Sequence, residues 1–189
     1  MRVIAGTHRG RRLRRPQGMD LRPTSDRVRE ALFSILGNRL PHCKFLDLYA
    51  GTGAIAIEAL SRGASHVTCV ESGPTALTLL RQNMLDCGMT HRLTVHAKTV
   101  KQFFSKPDYW CGPYDIIFAD PPYALTEELP SLFTQTPITD LVSDDSWLII
   151  EHAEKTVLPN TLGSGVQLRC YRYGDTVLSL YAFSDGARS

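Results

Sequence analysis

From residue 44 onward, short apolar runs alternate with amphipathic segments along the chain. The apolar runs are four to six residues long and hold many β-branched and aromatic side chains, which is typical of buried strands. Strands that alternate with helices through short loops predict an α/β fold, a parallel sheet with helices on both faces. We predict strands over 45–49, 66–70, 93–96, 114–119 and 147–151, and helices over 53–62, 73–87, 100–105 and 126–133.

The N-terminal segment has a different pattern. Residues 2–5 and 11–13 are strand-like and flank a glycine-containing turn, which predicts an arginine-rich hairpin. Thr24 or Ser25 can cap the helix that follows. The buried face of that helix is predicted from apolar residues at helical spacing, namely Val28, Leu32, Ile35 and Leu36.

The C-terminal segment alternates between apolar and polar residues. The alternating runs cover 167–173 and 176–183, with Gly174 and Asp175 between them, which predicts an antiparallel hairpin. Neither end has the length of a second domain. We therefore expect a single domain over 1–189, with a basic arm and helix in 1–40 and the core in 44–189.

Positive charge is concentrated near the N-terminus. The chain has a net charge of +2, but residues 1–30 hold nine arginines against three acidic residues. This asymmetry indicates a partner that carries many phosphates. A basic tail without a ligand is the alternative that composition alone leaves open.

The cysteines, histidines and hydropathy pattern exclude several classes of protein. Five cysteines without a C-x-x-C pair argue against a disulfide framework and a structural zinc site, and six scattered histidines indicate no other metal site. No apolar run approaches the roughly 20 residues that a membrane-spanning helix needs. We therefore expect a cytoplasmic protein with reduced thiols that binds neither a metal nor a membrane.

A glycine pair follows the first predicted strand. Gly51 and Gly53 permit a tight turn and a close approach of a ligand to the backbone. Glu71 ends the second predicted strand, where its carboxylate can accept hydrogen bonds from ribose hydroxyls. Because open α/β sheets bind ligands at the carboxyl ends of their strands, these residues together predict a nucleoside site. A turn without a ligand is the alternative for the glycines alone.

The choice of nucleoside depends on Asp47, which precedes the glycines. The spacing does not exclude NAD, because Ala56 fills the third position of the dinucleotide pattern. A carboxylate at Asp47 would, however, repel a pyrophosphate. An acidic loop suits the ammonium and sulfonium groups of S-adenosylmethionine, which this pattern favours as the cofactor.

The fourth predicted strand leads into Asp120-Pro121-Pro122-Tyr123. The exocyclic amine of a nucleobase is a weak nucleophile, because its lone pair is delocalised into the ring. Asp120 can accept a hydrogen bond from such an amine, and the prolines stiffen the loop and leave carbonyls as further acceptors. Tyr123 offers a ring on which the base can stack. The motif predicts methyl transfer to a base amine; a Pro-Pro turn without function is the alternative.

Three segments of the chain resemble the RsmD family of bacterial 16S ribosomal RNA guanine-N2 methyltransferases. The loop 120–123 resembles that of amino-methyltransferases in general, and the more specific segments are 21–33, 45–54 and 58–63. The resemblance extends over nearly the whole chain. It implies a Rossmann-like class I methyltransferase fold, in which a seven-stranded, mostly parallel sheet has an antiparallel last strand. It also implies an arginine-rich hairpin and helix before the core, and transfer to N2 of one guanine in 16S rRNA or an assembling 30S subunit.

The resemblance also implies roles for individual residues. Asp47, Gly51 and Gly53 would line the methionine part of the cofactor, Glu71 would hold its ribose, and Asp120 to Tyr123 would hold the flipped guanine. Arg22 and Thr24 would close over both ligands. Residues expected to contact RNA phosphates are Arg9, Arg11, Arg12, Arg14 and Arg15. We expect the protein to act as a monomer.

One position departs from the family pattern. Many relatives have Asp or Asn after the third strand to accept from the adenine amine, whereas this chain has Lys98, which cannot accept. Two other functions stay open. An adenine-N6 methyltransferase of RNA or DNA uses the same type of loop, and a non-catalytic nucleic-acid-binding or assembly protein could keep the fold without turnover.

Overall fold

The computed structural model describes residues 1–16, 26–122, 125–126, 128–135 and 140–183. The strands in these ranges are β1 (Lys44–Leu48), β2 (His66–Glu71), β3 (Leu93–Ala97), β4 (Tyr114–Ala119), β5 (Val142–Ala153), β6 (Thr161–Leu162), β7 (Gly165–Tyr173) and β8 (Thr176–Phe183). The α-helices are α1 (Asp26–Leu36), α2 (Ala54–Ser61), α3 (Pro74–Asp86), α4 (Val100–Phe104) and α5 (Leu129–Gln135). The eight strands form one sheet in the order β3-β2-β1-β4-β5-β8-β7-β6.

The sheet separates the core into two layers. Strands β1 to β5 pair in parallel, and the central strands β1, β2 and β4 are largely buried. Phe45 of β1 belongs to a buried cluster with the apolar residues of α1 and α2. Leu46 and Leu48 belong to a second cluster with those of α4 and α5. The predicted α/β fold with helices on both faces is confirmed.

The C-terminal hairpin completes the sheet. β8 lies between β5 and β7 and is antiparallel to both, which confirms the prediction of an antiparallel last strand. The predicted seven strands are present, but the sheet gains an eighth, β6, which has two residues and is too short to show alternation in sequence. β5 is also longer than the predicted 147–151, because it begins at Val142.

The helices agree with their predicted ranges to within one residue at each end, with the exception of α5. α5 begins at Leu129, not at Thr126, because Leu125 and Thr126 turn back to donate to the carbonyl of Pro122. The predicted face of α1 is confirmed, with Val28, Leu32 and Leu36 buried. The predicted capping residues lie outside the described residues. No helix in the described ranges is both long and apolar enough to cross a bilayer.

Residues 1–16, here called the arm, dock on α2. The two segments of the predicted hairpin pair at an antiparallel bridge between Arg2 and Arg12, where the Val3 amide donates to the Arg11 carbonyl and the Leu13 amide to the Met1 carbonyl. Val3 and Leu13 are buried in the same cluster as α1 and α2. The backbone amides of Ile4 and Ala5 donate to the buried carboxylate of Glu58, at 2.7 and 2.9 Å. Further bonds join the arm to Ser61, including one from the Thr7 amide to the Ser61 carbonyl at 2.8 Å.

Candidate active site

Three of the predicted site residues, Gly51, Glu71 and Asp120, meet at the carboxyl edge of the sheet. β1 lies between β2 and β4, and Leu48 pairs with Val70 on one side and Ala119 on the other. The segments that follow these strands therefore lie side by side, at the point where the strand order changes direction. They border a cleft of about 1990 Å³, whose walls include Gly51, Thr52, Glu71, Asp120, Pro121 and Pro122.

The turn after β1 requires unusual backbone conformations. Tyr49, Gly51 and Gly53 have φ angles of 65°, 55° and 78°, all in the left-handed region. The glycines adopt it without steric cost, whereas Tyr49 is a non-glycine residue held there at the cleft wall. The Gly53 amide closes the turn on the Ala50 carbonyl at 2.8 Å. The turn thereby brings backbone, without side chains, to the cleft at Gly51.

Glu71 is held in a fixed orientation by backbone amides. Its Oε2 accepts from the Gly51 amide at 2.7 Å, and its Oε1 accepts from the amides of Ser72 and Gly73 at 2.8 and 2.6 Å. A carboxylate has about four acceptor sites, so it can still accept from a ligand hydroxyl. Glu71 thus links the ends of β1 and β2 and lines the cleft, and its contact with a ribose stays a prediction.

Asp47 is buried at the end of β1, with 1% of its surface exposed. Burial raises the pKa of its carboxyl group, the nearby carboxylates of Asp120 and Glu71 raise it further, and a bond from the Ala56 amide opposes this. Its Oδ2 has no hydrogen-bond partner within the described part of the chain. Asp47 orients the start of α2 through Ala56, and its direct contact with the cofactor stays a prediction.

The loop after β4 enters the same cleft from the other side of β1. Asp120 is half-buried, Pro121 is buried and Pro122 is exposed, and all three border the cleft. The Pro122 carbonyl accepts from the Leu125 amide at 2.8 Å, so it already closes the turn that follows. Tyr123 lies outside the described residues, and its predicted stacking role stays a prediction.

The arm brings arginines to the rim of the cleft. Arg14 and Arg15 line it, and all five predicted RNA-binding arginines are exposed. The Arg14 Nε also contacts Asp86 Oδ2 at 2.8 Å, and Arg11 donates to the Asp86 carbonyl. Two of the five arginines are therefore anchored on α3. Arg22 and Thr24 lie outside the described residues.

At the far end of the cleft, Lys98 lies between β3 and α4 and contributes to the wall. Its Nζ is 4.7 Å from the centre of the Tyr109 ring. Hydrogen bonding with the Lys98 side chain lowers the pKa of the Tyr109 phenol. Thr99 begins α4 with a capping box, in which its hydroxyl accepts from the Gln102 amide at 3.2 Å. The Thr99 hydroxyl can also donate its proton to a ligand. Thr99 therefore offers a polar contact next to Lys98, the position at which the sequence departs from the family pattern.

Several site residues were missed by the sequence patterns. His152 lines the cleft, and its two ring nitrogens contact the Ser179 hydroxyl at 2.8 Å and the Ala153 carbonyl at 2.9 Å. Burial lowers the pKa of this imidazole. Asn83, inside α3, is fully buried and contacts both the arm and the glycine turn. Asn83 is a polar residue on the apolar face of the predicted helix 73–87, and this position could have identified it, because buried polar groups need hydrogen-bond partners.

Comparison with protein families gives one model that covers nearly the whole chain. The model described as conserved hypothetical protein 95 matches residues 1–182. YlbH of Bacillus subtilis (strain 168), provisionally named an rRNA methyltransferase, is 33% identical over 185 residues, covering 96% of this chain and 98% of that protein. Ribosomal RNA small subunit methyltransferase D of Escherichia coli (strain K12) is 34% identical over 153 residues, covering 80% and 71%.

Solved structures of two similar proteins superpose on nearly the whole of this chain. The Escherichia coli protein yhhF, provisionally titled a methyltransferase, superposes with a TM-score of 0.83 at 29% identity, covering 97% of this chain and 98% of that chain. A Thermus thermophilus protein titled only as hypothetical superposes with a TM-score of 0.80 at 30% identity, covering 95% and 98%.

Proposed function

This chain belongs to the RsmD family, and we propose that it transfers a methyl group from S-adenosylmethionine to the N2 amine of a guanine in 16S ribosomal RNA. Its fold is that of the Rossmann-like methyltransferases. One observation carries the proposal. The carboxyl ends of β1, β2 and β4 bring the Gly51–Gly53 turn, Glu71 and Asp120 to one cleft.

The cleft fits the cofactor by its chemistry. Glu71 places a carboxylate in the cleft wall, which favours a ligand with an ammonium and a sulfonium over one with phosphates. Asp47, buried at the end of β1, is proposed to line the methionine part. We propose that Gly51 and Gly53 admit the methionine part beside the backbone and that Glu71 accepts from the ribose hydroxyls. When bound, S-adenosylmethionine supplies a methyl group on a positively charged sulfur. Arg22 and Thr24 are proposed to cover it.

The loop after β4 is proposed to hold the target amine. Asp120 accepts a hydrogen bond from the amine, which orients the nitrogen and stabilises the positive charge that develops on it. Because the Pro122 carbonyl is occupied by the Leu125 amide, we assign the second acceptor to the carbonyl of Pro121. Tyr123 is proposed to stack on the base. Holding two reactants in line can supply roughly 7–11 kcal/mol.

The arm is proposed to bind the RNA backbone around the flipped guanine. Phosphate contacts position RNA without reading its sequence, and Arg14 and Arg15 lie at the rim of the cleft. Because Val3 and Leu13 pack into the same cluster as Phe45, we propose that arm and core form one domain. We further propose that the protein acts as a cytoplasmic monomer on 16S rRNA or an assembling 30S subunit.

The mechanism is tested by Asp120→Ala, with Asp108→Ala as a matched control on an exposed turn that does not line the cleft. We expect Asp120→Ala to bind S-adenosylmethionine normally but to lose about 10²- to 10⁴-fold in transfer rate, whereas Asp108→Ala behaves as wild type. Normal turnover by Asp120→Ala would refute the role of this carboxylate.

The substrate is tested by mass spectrometry of rRNA nucleosides from a deletion strain. Loss of N2-methylguanosine at one site in 16S rRNA is the expected result. Unchanged N2-methylguanosine together with loss of N6-methyladenosine would assign the enzyme to adenine instead. Unchanged methylation of both bases, with no transfer by the purified protein, would indicate a non-catalytic binding protein.

A further inference from the structure

The side chain of Asn83 joins two segments that are far apart in sequence. Its Oδ1 accepts from the Arg14 amide at 2.7 Å, and its Nδ2 donates to the Arg14 carbonyl at 3.2 Å and the Thr52 carbonyl at 3.0 Å. Arg14 belongs to the arm, and Thr52 lies between the two glycines of the cofactor turn. Asn83 itself is fully buried in α3.

The chemistry of a carboxamide fits this position closely. Both N–H donors of Asn83 are used and its oxygen accepts, so the group is satisfied in one orientation. Reversing the amide would place its oxygen against two carbonyls and its NH₂ against an N–H. Neither an apolar nor an acidic side chain can make the same three bonds. Because the group is buried, a lost bond here is not replaced by water without cost.

Both segments that Asn83 holds border the same cleft. Thr52 and Arg14 are both in its wall. Beside Thr52, the Gly51 amide donates to Glu71, the proposed ribose ligand, at 2.7 Å. A continuous series of bonds thus leads from the arm through Asn83 and the glycine turn to Glu71. Glu58 and Ser61 hold the arm at residues 4–8, at a distance in sequence from Arg14. Asp86 holds the side chains of Arg11 and Arg14, but these bonds do not reach the glycine turn.

We infer that Asn83 is a positioning residue that couples cofactor binding to RNA binding, by fixing the glycine turn and the arm with one side chain. This inference rests on the proposed function of the cleft. A cofactor that orders Thr52 also stabilises Arg14 and Arg15 at the rim, and RNA bound to the arm stabilises the turn. The coupling is reciprocal by thermodynamic necessity, so each ligand raises the affinity for the other by the same factor.

The coupling is measured by calorimetric titration of S-adenosylhomocysteine with and without unmethylated 16S rRNA transcribed in vitro. For the wild type we expect the RNA to lower the dissociation constant of S-adenosylhomocysteine by about tenfold, within the usual range of roughly 5- to 150-fold. The coupling is expressed as the ratio of the dissociation constant without RNA to that with RNA. Asn83→Asp has the same size and keeps the acceptor for the Arg14 amide, but it opposes two carbonyls with a carboxylate. In this variant the ratio should fall to about one.

Ser61→Ala is the matched control, because it loosens the arm at Ala5 and His8 without touching the glycine turn. It should weaken RNA binding but keep the wild-type ratio. If Asn83→Asp does not fold, Asn83→Ser takes its place. A wild-type ratio of one, or an undiminished ratio in a folded Asn83 variant, would overturn the inference. Failure of the wild type to bind S-adenosylhomocysteine at all would instead overturn the proposed function.

Discussion

Two glycines of the arm offer a controlled test of how the arm docks. Gly6 and Gly10 have nearly the same φ angle, 82° and 84°, in the range that favours glycine. A Cβ atom at Gly6 would lie 1.9 Å from the backbone oxygen of Ser61, whereas a Cβ at Gly10 would meet no atom within 4 Å. Alanine at either position carries the left-handed penalty of about 1–2 kcal/mol. Only Gly6→Ala must also displace the arm from α2.

The size of the difference follows from the bonds that the displacement breaks. The backbone of this part of the arm makes three hydrogen bonds with Ser61: from the Thr7 amide at 2.8 Å, from the His8 amide at 2.9 Å, and to the Ala5 carbonyl at 2.6 Å. At about 1 kcal/mol each, their loss adds roughly 3 kcal/mol to the destabilisation of Gly6→Ala. In a chain of this length that corresponds to a melting temperature about 6–12 °C below that of Gly10→Ala.

Thermal unfolding followed by circular dichroism measures the difference, and hydrogen exchange locates it. The amides of Thr7 and His8 should exchange faster in Gly6→Ala and remain protected in Gly10→Ala. RNA binding should weaken in the first variant only. Equal melting temperatures for the two variants would refute the reasoning, because they would show that the arm is not held against Ser61.

Two further predictions concern pH and salt. Burial lowers the pKa of His152 below its ordinary value of 6.5, so the folded chain binds this proton more weakly than the unfolded chain. The free energy of unfolding should therefore fall as the pH drops through about 6.5, and less steeply in His152→Gln; equal slopes would contradict this. RNA affinity should decrease with salt, and Arg12→Ala or Arg15→Ala should each reduce the logarithmic slope by about 0.7–0.9. Arg92→Ala, near the amino edge of the sheet, is the control, and unaltered slopes in the arm variants would remove the arm from the RNA interface.

Periodicity predicted the parallel half of the sheet well, because its central strands β1, β2 and β4 are buried and rich in apolar residues. β5 was the exception. Its first residues include Ser143, Asp144 and Asp145, which resemble a loop in sequence. Ser146 makes them part of the strand, since its hydroxyl donates to the Tyr114 carbonyl at 2.6 Å. A contact between residues 32 positions apart leaves no local pattern.

The candidate site was predictable where its chemistry is local. The glycine turn, Glu71 and Asp120 each follow a strand, and the topology of the sheet brings them together. The hydrogen bonds that hold the arm were not predictable, because Glu58 and Asn83 lie in helices and contact residues 53 to 69 positions away. In sequence Glu58 resembles an ordinary partner for Arg62, and that ion pair is present at 2.7 Å, but its other two bonds hold the arm.

The position of β8 also constrains the order in which the chain can fold as it is synthesised. β8 is inserted between β5 and β7, both of which precede it in the chain. Until β8 emerges, a nascent chain exposes the unpaired edge of β5, a strand that could pair with another chain. The cofactor turn and the loop at Asp120 belong to strands made earlier, so they can assemble before the sheet is closed. We therefore expect truncation before residue 176 to cause aggregation, even though all of the proposed catalytic residues are retained.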